Sequence, residues 1–207
     1  MKSERHIMLD IETLGNGPNA LIITIGACEF FPGREDAPLG DTLYLEVDAE
    51  DAARHGGIMD VSTILWWLKQ SEAARSALTE ECPRWMLSEA LNELRAFVAG
   101  DPTGKLLPPE TAGVWGNGAT FDNVILHSAA RACKQPPLWS FRLDRDMRTI
   151  VWLEKALNLN VPIPAPVGVG HHALDDAVWQ ATRVYGILKS LKLENPNAPD
   201  KIPTPCP

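Results

Sequence analysis

The segment from His6 to Glu12 alternates in polarity, and this pattern constrains the fold more than any other part of the chain. Such alternation predicts a β-strand. One of its faces would be aliphatic: Ile7, Leu9 and Ile11. The opposite face carries Met8, followed along the strand by Asp10 and Glu12. Two residues along a strand advance about 6.6 Å, so both carboxylates can point into one pocket and share cations. Burying them without cations would be costly. The alternative is an edge strand whose carboxylates face solvent.

Length and composition indicate one globular domain. The chain has 207 residues, of which 45% are hydrophobic and 22% are charged, which is ordinary for a globular protein. We expect a domain over residues 1–194 and a flexible proline-rich tail over 195–207. The sequence shows neither a membrane span nor a signal-peptide core, so a cytoplasmic protein is expected. Four scattered cysteines lack any C-x-x-C pair and predict reduced thiols, not a zinc site: Cys28, Cys82, Cys133 and Cys206.

The net charge of −8 argues against a protein that coats duplex nucleic acid. It is compatible with an enzyme that holds one strand end through metal ions, because the ions supply the positive charge locally. Basic residues concentrate in one stretch, which we interpret as a solvated helix surface: Arg131, Lys134, Arg142, Arg145 and Arg148.

The order of predicted elements indicates an α/β fold. Three strands joined by short connections, over residues 6–12, 20–31 and 41–47, suggest an antiparallel meander. Helices are predicted from a cap at Ser62 or Thr63, from Ser88 to Gly100, and over 121–134, 146–157 and 172–191, with a strand at 111–115. The prolines of residues 101–110 and 161–166 predict loops. This order is typical of a sheet flanked by helices.

Asp122 occupies the start of a predicted helix, directly after a short apolar strand and a glycine-containing turn. An aspartate in a first helical turn often complements the helix dipole. The neighbouring Gly116 and Gly118 favour a functional role, because glycine lets the backbone come close to a bulky group.

The last predicted helix begins with two histidines and two aspartates: His171, His172, Asp175 and Asp176. Both aspartates flank the apolar stripe of this helix at similar angles, so periodicity cannot choose between them. Ordinary capping and a solvated helix start are the alternatives.

Taken together, three segments resemble the exonuclease motifs of the DnaQ-like (DEDDh) superfamily: Asp10-Ile11-Glu12-Thr13, Phe121-Asp122 and His171-x-x-x-x-Asp176. Members of this superfamily are 3′–5′ exonucleases of ribonuclease H-like fold. The resemblance extends from Ile7 to Leu191. Four further segments are most similar to exonuclease VIII-type phage and bacterial proteins and their exoribonuclease relatives: residues 66–70, 115–118, 145–149 and 172–177.

The resemblance implies a metal site with one general base. Four acids would bind two divalent cations: Asp10, Glu12, Asp122 and Asp176. His171 would be the base, because the five-residue spacing of the motif favours His171 over His172 and Asp176 over Asp175. Such an all-oxygen carboxylate site suits Mg²⁺ or Mn²⁺ better than zinc.

The resemblance also implies a site for the terminal nucleotide, formed by Thr13, Leu14, Trp66, Asn117 and Phe121. Thr13 and Leu14 would meet the sugar and base, and Phe121 would offer a stacking face. Either Trp66 or the adjacent Trp67 would border the cleft. We expect only one of the two to do so, because neighbouring helical residues point about 100° apart.

The local sequence gives two further predictions, one for Asp146 and one for His171. Asp146 is predicted as a helix N-cap, with support of the site from behind as the alternative. His171 follows a proline-rich loop and the step Gly168-Val169-Gly170. We therefore expect this histidine to be mobile until substrate orders it.

These observations predict a metal-dependent 3′–5′ exonuclease that releases nucleoside 5′-monophosphates from single-stranded ends. DNA and RNA both stay open as substrates, because no motif reports a contact to a 2′-hydroxyl. A non-catalytic binding module of the same fold and another metallophosphoesterase are the alternatives. Many relatives are dimers, so a homodimer is considered beside the monomer.

Overall fold

A computed structural model describes residues 4–36, 38–79, 82–100, 111–166 and 168–194. The predicted tail at 195–207 and the predicted loop at 101–110 lie outside these ranges, so the proposed domain boundary stays a prediction. Within the described residues, no helix is long and apolar enough to cross a membrane.

Five strands form one mixed sheet in the order β3-β2-β1-β4-β5. They are β1 (Arg5–Thr13), β2 (Ile22–Phe30), β3 (Leu39–Glu46), β4 (Thr111–Gly116) and β5 (Asp144–Asp146). The first three pair antiparallel, whereas β4 and β5 run parallel to β1. The predicted antiparallel meander is confirmed. Because β1 lies in the middle of the sheet, the edge-strand alternative is wrong.

The described helices are α1 (Ala49–Arg54), α2 (Val61–Trp67), α3 (Glu72–Thr79), α4 (Leu87–Ala99), α5 (Asp122–Ala132), α6 (Met147–Ala156) and α7 (Ala173–Glu194). The predicted helices are present with ends shifted by a few residues. The short elements α1, α3 and β5 had no prediction, because each spans too few residues to show a clear period.

Two predicted helix caps were wrong. Helix α2 begins after Asp60, not after Ser62 or Thr63. The N-cap of helix α4 is Met86, two residues before the predicted Ser88, because the N–H of Leu87 finds a distant partner. The buried carboxylate of Asp51 accepts the backbone N–H of Leu87 at 2.8 Å. A tertiary hydrogen bond therefore replaces the local cap.

Strand β1 is covered on both faces, as its alternation predicts. The aliphatic face belongs to the main core with α4 and α5: Ile7, Leu9 and Ile11. On the other face, Met8 packs in a second cluster with residues of α6 and α7. Each buried aliphatic side chain contributes about 1.5–3 kcal/mol. This packing fixes which way Asp10 and Glu12 point, since both lie on the side of α7.

Gly26 allows α7 to begin directly on the sheet. It pairs with Asp10 in the register of β1 and β2. A Cβ atom at this position would lie 2.2 Å from the carbonyl oxygen of Ala173, a distance at which the backbone must move. The missing side chain thus brings the first turn of α7 next to Asp10.

We predict that Gly26→Ala lowers both stability and any chemistry that needs α7 in place. Overpacking costs about 1–3 kcal/mol, and the start of α7 must move away from β1. The measurements are the melting temperature and the nuclease rate at a temperature where the variant is folded. The matched control is Gly17→Ala, whose added Cβ would meet only the Asn19 side chain, at 3.4 Å. A folded Gly26→Ala protein with full activity would contradict this account.

Candidate active site

Carboxylates from three elements converge on one cavity of about 300 Å³. β1 supplies Asp10 and Glu12, the first residue of α5 is Asp122, and the first turn of α7 supplies Asp176. The backbone N–H of Ile11 donates to Oδ1 of Asp122 at 3.3 Å. This bond fastens the start of α5 to β1 between the two strand carboxylates.

His171 lies against the same carboxylates. Its backbone N–H donates to Oδ2 of Asp176 at 2.9 Å. Glu12, His171 and Asp176 each offer a ligand atom, and the three atoms lie within 4.8 Å of one another. The φ of His171 is 65°, a left-handed conformation that costs a non-glycine residue about 1–2 kcal/mol. Mobility of this histidine before substrate binds stays a prediction.

The duplicated neighbours of these residues have other contacts. The ring of His172 stacks on Tyr44 with centroids 4.4 Å apart. Asp175 accepts the backbone N–H of Val169 at 2.8 Å and so holds the preceding loop. The structure therefore places His171 and Asp176 at the cavity, and their neighbours in packing and loop contacts.

The pKa values of all four carboxylates are raised. Burial, followed by the charge of Asp10, raises the pKa of Glu12 to about 9. Burial and the nearby Asp122 raise the pKa of Asp10 well above its usual range. Burial raises the pKa of Asp122 to about 7, against the lowering effect of the Ile11 N–H. Burial also raises that of Asp176. The site therefore holds protons that a bound cation can displace.

The donor set fits hard divalent cations. The four carboxylates offer oxygen ligands, and no cysteine lines the cavity among the described residues. Gln180 is only 4% exposed, and its Nε2 donates to Oδ1 of Asp10 at 2.7 Å. The other amide atom of this side chain, Oε1, is buried without a hydrogen-bond partner. An acceptor in that position suits a hydrated ion better than an apolar ligand.

A second cavity of about 380 Å³ adjoins the first and shares Ile11, Glu12 and Phe121 with it. Both Trp66 and Trp67 line it, and the expectation that only one of them faces the site stays a prediction.

The two tryptophans occupy different parts of this wall. Trp67 is 2% exposed, and its Nε1 donates to the carbonyl oxygen of Thr13 at 2.9 Å. Trp66 is 40% exposed, and its ring centroid lies 4.8 Å from that of His171. The two indole rings meet edge to face at 5.1 Å. They are wide enough for both to reach one cavity in spite of the 100° between their positions.

Two other predicted substrate residues also lie at the cavities. Phe121 lines both of them and is half-buried, and Asn117 lines the cavity of the carboxylates. Their contact with a nucleotide stays a prediction.

Thr13 and Leu14 have internal hydrogen bonds. Thr13 lines the second cavity, but its hydroxyl donates to the carbonyl oxygen of Gly15 at 2.7 Å. Leu14 is absent from the described residues that line either cavity. Its N–H donates to Leu21 and its carbonyl accepts from Asp60, at 2.9 and 2.8 Å. A contact of the Leu14 backbone with the terminal sugar therefore stays a prediction without support from the cavity lining.

Three residues without a predicted role line the carboxylate cavity: Arg148, Trp179 and Gln180. Gln180 follows Asp176 by four residues and so lies on the same face of α7, a spacing that could have identified it. Arg148 belongs to the basic stretch that the sequence interpretation assigned to a solvated surface. For Arg148 that interpretation is incomplete, because its guanidinium also counteracts the rise in the Asp122 pKa.

Asp146 is the predicted N-cap of α6, and it also contacts the turn before Asp122. One carboxylate oxygen caps α6 by accepting the N–H of Thr149 at 2.8 Å. The other accepts the N–H of Ala119, also at 2.8 Å. Asp146 thus connects the start of α6 to the turn that leads to Asp122.

We predict that the metal-free protein loses stability as pH rises from about 5 to 9. The pKa values of Glu12 and Asp122 in the folded state, about 9 and about 7, lie above those of the unfolded chain. The folded state therefore binds more protons in this window, and the free energy of unfolding falls with pH.

Melting temperatures in EDTA and in MgCl₂ or MnCl₂ at pH 5, 7 and 8 provide the measurement. Each kcal/mol corresponds to about 2–4 °C for a chain of this size. Cations should flatten the fall, and Asp10→Asn should flatten it in EDTA. Identical pH profiles with and without cations would oppose a metal site.

The sequence matches one family of known proteins. The model of the family described as 3′-5′ exoribonuclease Rv2179c-like domain matches residues 5–188. No curated protein matches the sequence.

Solved structures match the fold at low sequence identity. E. coli exonuclease I in complex with a 5cy-dA13 oligonucleotide has a TM-score of 0.62 at 14% identity, with 94% of this chain and 41% of that chain covered. This chain thus spans less than half of exonuclease I. The nuclease domain of 3′hExo, a DEDDh family member bound to rAMP, has a TM-score of 0.57 at 13% identity, with 94% of both chains covered. Cell-death related nuclease 4 has a TM-score of 0.57 at 12% identity, with 93% and 64% covered. The predicted ribonuclease H-like α/β fold is confirmed.

Proposed function

Because the chain belongs to the family of 3′-5′ exoribonuclease Rv2179c-like domains and is a 3′–5′ exonuclease, we propose that it shortens single-stranded RNA and releases nucleoside 5′-monophosphates. The observation that carries this proposal is the convergence of Asp10, Glu12, Asp122 and Asp176 with His171 at one cavity. The prediction of a DnaQ-like enzyme is confirmed by the family.

The family depends on divalent metal ions. We propose two Mg²⁺ or Mn²⁺ ions held by the four carboxylates. When bound, such ions activate water for attack on the phosphate and stabilise the departing 3′ oxygen. The residues of the chain then have separate tasks. Gln180 orients Asp10 through its 2.7 Å hydrogen bond, and the Ile11 N–H orients Asp122.

His171 is the proposed general base. Its ring lies beside Glu12 and Asp176, where the attacking water would be. An imidazole accepts a proton readily near neutral pH. The hydrogen bond from its own N–H to Asp176 keeps this base next to a metal-binding residue.

The second cavity is the proposed site of the terminal nucleotide. Trp66 and Phe121 offer aromatic faces there, and stacking on them accepts any base. At about 380 Å³, the cavity suits one unpaired nucleotide, which favours single-stranded ends.

The preference for RNA is supported by the family description and by polar groups of the second cavity. Asn16, Ser62 and Thr63 line it, and Nδ2 of Asn16 donates to Oγ1 of Thr63 at 2.9 Å. Hydroxyl and amide groups at this position can exchange hydrogen bonds with a 2′-hydroxyl.

Matched RNA and DNA strands labelled at the 5′ end test the proposal. With Mn²⁺ or Mg²⁺, the RNA should shorten stepwise and release nucleoside 5′-monophosphates, and EDTA should stop the reaction. Binding without cleavage would identify a non-catalytic module instead. Faster hydrolysis of a generic phosphomonoester would identify a phosphatase.

We predict that Asp10→Asn abolishes cleavage while it stabilises the metal-free protein. The amide removes one of several mutually repelling buried charges, but it cannot hold cations as a carboxylate does. His171→Ala should lower kcat by about 10²–10⁴-fold. The measurements are single-turnover rates and melting temperatures in EDTA. The matched control is Asp36→Asn, at an exposed position outside both cavities. Full activity of both site variants would refute the assignment.

We also propose a cytoplasmic homodimer that uses the outer face of α2. Val61, Leu65 and Leu68 are 74%, 53% and 62% exposed, and their spacing places them on one side of the helix. Sedimentation velocity should show a dimer that Leu65→Lys converts to a monomer. A monomeric wild-type protein at micromolar concentration would contradict this assembly.

A further inference from the structure

The outward face of α6 exposes a large aromatic ring. Trp152 is 66% exposed and is the most exposed of the seven tryptophans in the chain. The opposite face of the helix packs inward through Met147 and Glu154, which are both buried. Helix α6 thus packs through one side, and the exposed indole lies on the other.

All outward charges of α6 are positive. Arg148 and Lys155 are exposed, and they lie four residues before and three residues after Trp152, so the three share one face. The one acidic residue of the helix, Glu154, points inward and forms a buried ion pair with Arg183 at 2.5 Å. A chain of net charge −8 thus presents a cationic strip around an exposed aromatic ring.

This strip is continuous with the active site. Arg148 lines the carboxylate cavity, and Trp66 lines the adjoining cavity. The two cavities share Glu12 and Phe121, so the carboxylates lie between the two ends. A strand whose terminal nucleotide contacts Trp66 and whose scissile phosphate lies at the carboxylates therefore leaves the site towards Arg148.

We propose that this strip (Arg148, Trp152 and Lys155), which we call the α6 strip, binds the nucleotides 5′ to the scissile bond of a single-stranded substrate. Trp152 stacks on a base, and Lys155 contacts a phosphate. The eight residues from Arg148 to Lys155 extend about 10 Å along the helix, which matches about three stacked nucleotides. The proposal rests on the proposed exonuclease function.

The test compares a long and a short substrate. Trp152→Ala should raise KM for a 12-nucleotide RNA about tenfold and leave kcat/KM for a dinucleotide within about twofold, because a dinucleotide ends before the strip. Trp152→Phe should retain the KM of the wild-type protein, whereas Trp152→Leu should behave like the alanine variant. The matched control is Leu157→Ala, at an exposed apolar residue just after α6 (52% exposed).

Salt dependence gives an independent readout. Lys155→Ala should reduce the slope of log affinity against log salt by about 0.7, the value for one phosphate contact on a single strand. An unchanged slope, or equal effects of Trp152→Ala on both substrates, would overturn the α6 strip. A Trp152→Leu protein with full affinity would do the same, because leucine has no aromatic face on which a base could stack. Failure of the wild-type protein to cleave either RNA would instead overturn the proposed function.

Discussion

Desolvation of four clustered carboxylates, added to by repulsion around Asp10 and Glu12, is the constraint on which the rest of this structure depends. In a low-dielectric cavity, each charge makes the next one harder to hold. The folded chain brings Asp10, Glu12, Asp122 and Asp176 to one cavity, where the pKa of each carboxyl group is raised. Divalent cations bound by these carboxylates would remove this penalty and would supply the chemistry proposed for the same residues. Stability and activity of the enzyme are therefore linked through one set of side chains.

Three features of the fold bring these four acidic residues together. Packing on both faces of β1 aims Asp10 and Glu12. The absence of a side chain at Gly26 lets α7 approach the sheet. The two hydrogen bonds of Asp146 connect α6 to the turn before Asp122. Each of these contacts uses groups other than the four carboxylates, so the arrangement of the carboxylates is imposed by its surroundings.

Much of this arrangement was predictable from the sequence. The period of two in β1 was sufficient to assign its faces, because every second residue of a strand points the same way. The meander and the long α7 followed from clear periodicity. The order of the acidic motifs was sufficient to propose the site.

Other features depend on contacts between distant segments and left no local signal. The start of α4 depends on Asp51, which is 36 residues from its partner Leu87. The distinct positions of Asp175 and Asp176 depend on Val169. The hydrogen bond from Trp67 to the carbonyl oxygen of Thr13, 54 residues away, likewise has no local signal.

The backbone on either side of His171 is pinned. Before it, the Val169 N–H is bonded to Asp175, and after it, the His172 ring rests on Tyr44 of β3. The position of the His171 imidazole is therefore set by rotation about its own side-chain bonds. Rotation of the ring about these bonds would therefore leave α7, and Asp176 with it, in place.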